Sequence, residues 1–279
     1  MTGNEAGVAA SGLRGAAFDL DGTLLRSDHT LSPAAIEVCR ALRAKGIWLT
    51  LVSARPPESV RRIAEVVRSA GPLIALNGAV VFSADRQIIH CRSLPSQISR
   101  EILARYRSRT DISLNVYSAF DWFVARADAR IGAEAAIVGF QPSVMTEDAP
   151  FPAADKILLI IDPREQDRLR AELAEYAGDA NVSASKPSYL EITHRDAEKG
   201  KALSIAAASA GLSLRDILAA GDGENDIPML SVCGFPVAMA HSPEIAKKIA
   251  KVVVGSNDDD SLARFVQDAF ALTAASYSR

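Results

Sequence analysis

Asp19 and Asp21 stand at the end of the largely apolar run 15–20. Side chains two residues apart on an extended chain share a face, so the two carboxylates converge where the run ends. Carboxylates held that close repel, and burial pushes at least one of them toward protonation. A divalent cation removes the conflict, and hard Mg2+ prefers carboxylate and carbonyl oxygen. An Asp-rich turn can also use such side chains to cap its own backbone; placement at a strand end, with Gly22-Thr23 next, favours the cation.

A second acidic group, Gly221-Asp222-Gly223-Glu224-Asn225-Asp226, follows the short apolar run 217–220. Its spacing does not fit the alternating ladder of an EF-hand loop. At the end of a second parallel strand it can supply the carboxylate that completes a cation site. Ser53 closes the run 47–52 with Arg55 just beyond it, a hydroxyl and a cation suited to a phosphate oxygen. Lys199 opens an Ala-rich helical pattern, where the helix dipole disfavours a lysine, and a residue in a locally wrong place invites a functional explanation.

The elements that must position these residues alternate. Strand patterns at 15–20, 47–52 and 73–76 are separated by helical ones at 33–45 and 58–68. Ser32 serves as N-cap of the first helix and Pro33 opens it. The same grammar returns late, with helices at 199–210 and 225–232, strands at 217–220, 235–239 and 252–254, and a closing helix at 262–272. Ser242-Pro243-Glu244 reads as one more helix start. Strands apolar on both faces argue for a parallel sheet covered on both sides, with ligand sites outside its carboxyl ends. From about 87 to 189 the pattern changes. Strand candidates at 112–117, 122–125, 156–161 and 189–193, several of them alternating, lie among helices at 97–108 and 165–176. The expected fold is α/β, a parallel-sheet core in two pieces, 1–86 and 190–279, with an α+β domain inserted at 87–189.

The chain of 279 residues is 48% hydrophobic and 23% charged, which excludes a disordered or fibrous protein. A formal net charge of −3 gives no electrostatic reason to expect nucleic acid or an anionic membrane as partner. Cys39, Cys91 and Cys233 are too scattered for a disulfide framework or a zinc motif, and no apolar run approaches the roughly 20 residues that span a bilayer. Residues 1–12 carry no export signal and read as a frayed tail. Together these point to a cytoplasmic protein.

In this order the motifs resemble those of the haloacid dehalogenase superfamily of phosphohydrolases, and most closely its Cof-type branch, type IIB. Phe18-Asp19-Leu20-Asp21-Gly22-Thr23-Leu24-Leu25 is similar to the family's first motif, and Gly221-Asp222 through Asn225-Asp226-Ile227-Pro228-Met229-Leu230 to its fourth. Leu76-Asn77-Gly78-Ala79, Tyr189-Leu190-Glu191-Ile192, Lys199-Gly200-Lys201-Ala202-Leu203 and Val237-Ala238-Met239 agree with the branch. The resemblance spans the chain from about Leu13 to Phe270.

It implies a Rossmann-like core whose inserted domain is a mobile cap, and a phosphatase acting on a small phosphorylated metabolite of the sugar-phosphate kind. Asp19 would be the nucleophile, Asp21 the general acid and base, and Lys199 a catalytic cation. Mg2+ would be held by the Asp19 carboxylate, the Asp21 backbone carbonyl and the Asp222 carboxylate, with Asp226 supporting that shell. Ser53 and Asn225 would face the phosphoryl group, with Arg55 and Asn77 on the substrate side. Ala54 departs from the glycine usual between Ser53 and Arg55, and Ser261 from one near the last helix. A phosphomutase and a non-catalytic sensor of phosphorylated ligands are the alternatives. Neither a second acceptor motif nor a missing charge favours them. Phe120, Trp122 and Phe140 read as packing within the inserted domain, and the number of subunits is not legible.

Overall fold

Gly-Ala-Ala-Phe-Asp has no side chain that demands water until its last residue, and in the computed structural model Gly15–Asp19 is a strand buried along its whole length. The structure describes residues 12–146 and 153–272, so all but the last residue of the expected tail lies outside it. Gly15–Asp19 sits inside an eight-stranded sheet, parallel to Trp48–Val52 on one side and to Ile217–Gly221 on the other. Phe235–Met239 and Val252–Val254 continue the sheet in parallel beyond Ile217–Gly221. On the other flank Leu73–Ala75 is parallel, while Val80–Phe82 and Ile88–Cys91 finish the sheet antiparallel. The chain thus leaves the first strand toward one edge and returns much later on its opposite side. That reversal opens a crevice at the carboxyl ends of the central strands.

The helices begin where the local chemistry dictates. Pro33–Ala44 starts with Ser32, whose hydroxyl accepts the Ala35 N–H at 3.0 Å. Glu244–Ile249 forms as expected, but Ser242 does not cap it. The Ser242 hydroxyl instead accepts the Met239 N–H at 3.0 Å, tying the loop to the preceding strand. The helix expected from 225 starts at Ile227, because Glu224–Asp226 closes as a single tight turn.

A second sheet of six strands is built from the middle of the chain. Its centre is antiparallel: Lys156–Ile160 lies between Ser113–Ser118 and Tyr189–His194. Ala180–Lys186 and Asp121–Val124 flank these, and Ser143–Val144 adds a short parallel edge. The segment boundaries differ from the sequence expectation by one strand at each end. Ile88–Cys91 pairs with Val80–Phe82 and belongs to the first sheet, whereas Tyr189–His194 pairs along its length with Lys156–Ile160 and belongs to the second. One face of this sheet packs Ile157, Leu159, Leu190 and Ile192 under the helices Ser96–Tyr106 and Gln166–Leu173. The opposite face, with Leu158 and Ile160, turns toward the first sheet and the helix Ala129–Val138. Phe120, Trp122 and Phe140 pack within this arrangement: Phe140 meets Trp122 edge-on at 5.5 Å, and Phe120 meets Phe82 at 5.2 Å. The three cysteines are free thiols, and no helix among the described residues is long and apolar enough to cross a membrane.

The Lys199–Ser209 helix presses against Ile227–Val232 through Gly200, where an added Cβ would stand 2.5 Å from the Pro228 carbonyl oxygen. Alanine is favoured over glycine in helix interiors by about 1 kcal/mol, yet here it must push the two helices apart. Gly200→Ala is therefore expected to lower the thermal midpoint. A rise would show that the helices can part at no cost.

Candidate active site

Three neighbouring parallel strands end at one place. Asp19 terminates the first, Ser53 follows Trp48–Val52, and Asp222 follows Ile217–Gly221. The loops beyond them approach closely because Gly22, at φ +78°, has no side chain: a Cβ there would lie 2.5 Å from an Asp222 carboxylate oxygen. Thr23 next to it donates its hydroxyl to Asp222 Oδ1 at 3.0 Å.

Asp19, Asp222 and Asp226 each offer a carboxylate oxygen, and the three lie within 4.8 Å of one another. The buried Lys199 ammonium donates to Asp19 Oδ1 and to Asp226 Oδ1, both at 2.6 Å. Asp226 also accepts the backbone N–H groups of Asp222 and Gly223 at 3.0 and 2.9 Å, so it folds the acidic loop around itself. This explains a lysine at a helix start: its charge answers two buried carboxylates rather than the helix dipole. Lys199 is held protonated, since the two aspartates outweigh the burial that would otherwise lower its pKa.

One ammonium does not balance three carboxylates. Burial first, and the neighbouring Asp226 second, push Asp19 well above the usual carboxylate range. Asp222 is raised for the same two reasons, against the Thr23 hydrogen bond, Lys199 and His241, whose Nε2 lies 3.4 Å from Asp222 Oδ2. Excess negative charge on hard oxygen donors fits Mg2+. Asp19 and Asp222, with the nearby Asp21 backbone, are the residues that would hold it.

Asp21 has a different environment. Arg55 grips it with both arms, Nε to Oδ2 at 2.7 Å and Nη2 to Oδ1 at 2.6 Å, and His29 Nδ1 stands 2.9 Å from Oδ1. Burial alone would raise its pKa, but Arg55 and then His29 outweigh it and hold the carboxyl below the usual range. The remaining Arg55 nitrogen donates to the Ile137 carbonyl on the helix Ala129–Val138 at 3.2 Å. The guanidinium is thus spent on Asp21 and the second domain rather than left open for a phosphate. Ser53 accepts the Arg55 N–H on its hydroxyl oxygen at 3.1 Å and keeps its own proton to donate.

Above the carboxylates is a cavity of about 500 Å3 bordered by both sheets. Asp19, Asp21, Ser53, Arg55, Asn77, Lys199, Asp222 and Asn225 all line it. Asp226 lies beneath, 1% exposed. Asn77 borders the cavity with both ends of its amide engaged: Nδ2 donates to Glu191 Oε2 at 2.7 Å, and Oδ1 accepts Asn225 Nδ2 at 2.9 Å. The second domain contributes groups to which the sequence reading gave no role in the site: Lys156, Glu191 and Tyr189 from its sheet and Glu134 from the helix Ala129–Val138. Lys156 heads the otherwise apolar Lys-Ile-Leu-Leu-Ile, and Glu191 alternates with buried Leu190 and Ile192. Charges at such positions were the available signal. Tyr189 donates its hydroxyl to Glu134 at 2.5 Å.

A family model described as haloacid dehalogenase-like hydrolase matches residues 16–266. An HMP-PP phosphatase of Escherichia coli is 28% identical over 242 residues, which are 86% of this chain and 89% of that protein. A haloacid dehalogenase-like hydrolase from Bacteroides thetaiotaomicron has a similar structure, with a TM-score of 0.83 at 25% identity over 91% of this chain and 98% of that one. A sugar phosphatase of haloacid dehalogenase subclass IIB has the same fold, with a TM-score of 0.79 and 21% identity over 93% of this chain and 100% of that one.

Removing one of the crowded carboxylates should stabilise the metal-free protein. Asp222→Asn, measured with a chelator near pH 7, is expected to melt about 2–4 °C above the wild type, roughly 1 kcal/mol for a chain of this size. The raised folded-state pKa makes Asp222 destabilising once pH climbs above the unfolded value of about 3.9, so the gap should close as pH falls toward it. A variant melting at or below the wild type near pH 7 would contradict the charge crowding.

Proposed function

The chain belongs to the haloacid dehalogenase-like hydrolases, and on that basis we propose that it is a Mg2+-dependent phosphatase that hydrolyses a small phosphorylated metabolite through an aspartyl-phosphate intermediate. The observation that carries the reading is the Asp19–Lys199–Asp226 contact with Asp222 alongside, at the floor of a cavity large enough for a sugar phosphate. The phosphatases among its relatives, one of them named for a sugar phosphate activity, support a small organic phosphate.

Lys199 holds one oxygen of Asp19, which leaves the other to attack phosphorus in line. A phosphate monoester dianion repels that carboxylate, and the Lys199 ammonium offsets part of the repulsion. Asp19, Asp222 and the Asp21 carbonyl would hold Mg2+, which would supply the remaining neutralisation of phosphoryl oxygen charge. Ser53 Oγ–H and the Asn225 amide face the same oxygens. Transfer to Asp19 splits one hard displacement into two easier ones. Asp21 gives a proton to the departing alkoxide and then takes one from the water that attacks the aspartyl phosphate. The Arg55 fork favours the ionised carboxylate, the form that serves the second step. Because Arg55 also holds Ile137 of the second domain, that domain roofs the reacting atoms while Asp21 is so held.

Asp19→Asn is expected to lower turnover of p-nitrophenyl phosphate by at least about three orders of magnitude while the protein stays folded. Survival of a tenth of the activity would remove Asp19 as nucleophile. Chelation should stop phosphate release and added Mg2+ should restore it, with no sugar bisphosphate primer required. Activity that persists after thorough chelation would exclude the metal role, and a strict primer requirement would make the enzyme a mutase.

A further inference from the structure

We propose that Asn77 and Glu191 are positioning residues that set Asn225 against the phosphoryl group when the second domain is docked; the proposal rests on the phosphatase reading above. Asn77 lies in a turn that few sequences adopt. Leu76, Asn77 and Gly78 have φ of +52°, +58° and +98° in succession. A branched residue such as leucine in this region costs roughly 1–3 kcal/mol, which surrounding contacts must offset, and such strain gathers at functional sites.

The contacts are present. The Leu76 N–H donates to the Arg55 carbonyl and the Asn77 N–H to the Ser53 carbonyl, both at 3.0 Å. A Cβ on Gly78 would stand 2.5 Å from the Glu198 carbonyl oxygen, so the turn is wedged against the residue that precedes Lys199. The result is one amide aimed both ways. Its nitrogen reaches Glu191 of the second sheet, and its oxygen takes the Asn225 side chain from the loop that carries Asp222 and Asp226.

Glu191 is itself fixed. Its Oε1 accepts the Ser185 hydroxyl at 2.8 Å and lies 3.4 Å from Lys156 Nζ, with both charged side chains buried. Lys156 donates in turn to the Ala54 carbonyl at 2.7 Å, between Ser53 and Arg55. The buried Lys156–Glu191 pair therefore touches two of the first-domain segments that line the cavity: the Ser53–Arg55 loop at Ala54 and the turn at Asn77. A buried ion pair is poor support for stability in itself, since the desolvation of both charges consumes most of the Coulombic gain. Its value here is registry. The Asn225 amide is oriented only while Glu191 is seated on Asn77.

The test uses p-nitrophenyl phosphate with saturating Mg2+. Asn77→Gly removes the amide and suits the positive φ, so it separates the relay from backbone strain. Glu191→Ala removes the other end from a different element. Each is expected to raise KM about tenfold with kcat changed less than about threefold, because a contact made equally to bound substrate and transition state appears in KM alone. The double variant should be no worse than either single one, and Asn77→Gly should add nothing to Asn225→Ala. KM within twofold of wild type in Glu191→Ala, or single effects that multiply to about a hundredfold, would overturn the relay. A wild-type protein that releases no phosphate would instead overturn the phosphatase reading.

Discussion

The structure turns on a charge imbalance: one lysine ammonium, 1% exposed, serves two buried carboxylates, with a third alongside. Two acids and one base could form a closed, inert network. The third acid prevents that and leaves a net negative pocket where a cation is welcome and an anionic substrate, without one, is not. Burial first, and this excess second through Asp226, raise the pKa of both Asp19 and Asp222. Much of the architecture works to maintain it. The parallel strand order puts three loops side by side, Gly22 lets two of them touch, and Asp226 ties the acidic loop down by its own backbone N–H groups.

Asp21 shows how strongly local partners decide behaviour. It is only two residues from Asp19, yet its pKa moves the opposite way, because Arg55 and His29 supply what Lys199 cannot share. Two carboxylates driven apart in acidity at one site can take different chemical parts. Arg55 is also a link between domains, since one guanidinium holds Asp21 and the Ile137 carbonyl together. The second domain thus meets the site at three points: Ile137 on Arg55, Lys156 on Ala54, and Glu191 on Asn77.

What could be read from the sequence was local. Asp19, Asp21, Asp222 and Asp226 announced themselves by spacing at strand ends, and Lys199 by standing against the helix dipole. Partnerships across the chain were not legible. Asn77 and Glu191 are 114 residues apart, and nothing in either neighbourhood names the other. Arg55 looked like a phosphate ligand because a cation just beyond a strand end, beside the Ser53 hydroxyl, suits a phosphate oxygen; only the fold reveals that Asp21 claims it. The helix Ala129–Val138 went unread because Gly132 and a run of small residues blur its apolar stripe, and Ala180–Lys186 because an edge strand of Ser, Asn and Lys lacks a hydrophobic face. The domain boundaries slipped by a strand at each end since strand patterns do not reveal their pairing partners.

Ala54 departs from the glycine usual in such sequences, and the structure makes the exchange harmless. The residue is not among those with positive φ, so a methyl group fits its backbone. The group that Lys156 seeks there is a peptide oxygen, which every amino acid carries. Evolutionary drift at position 54 can therefore change the letter without touching the message, and a substitution that looks diagnostic in an alignment would leave the grip between the domains as it was.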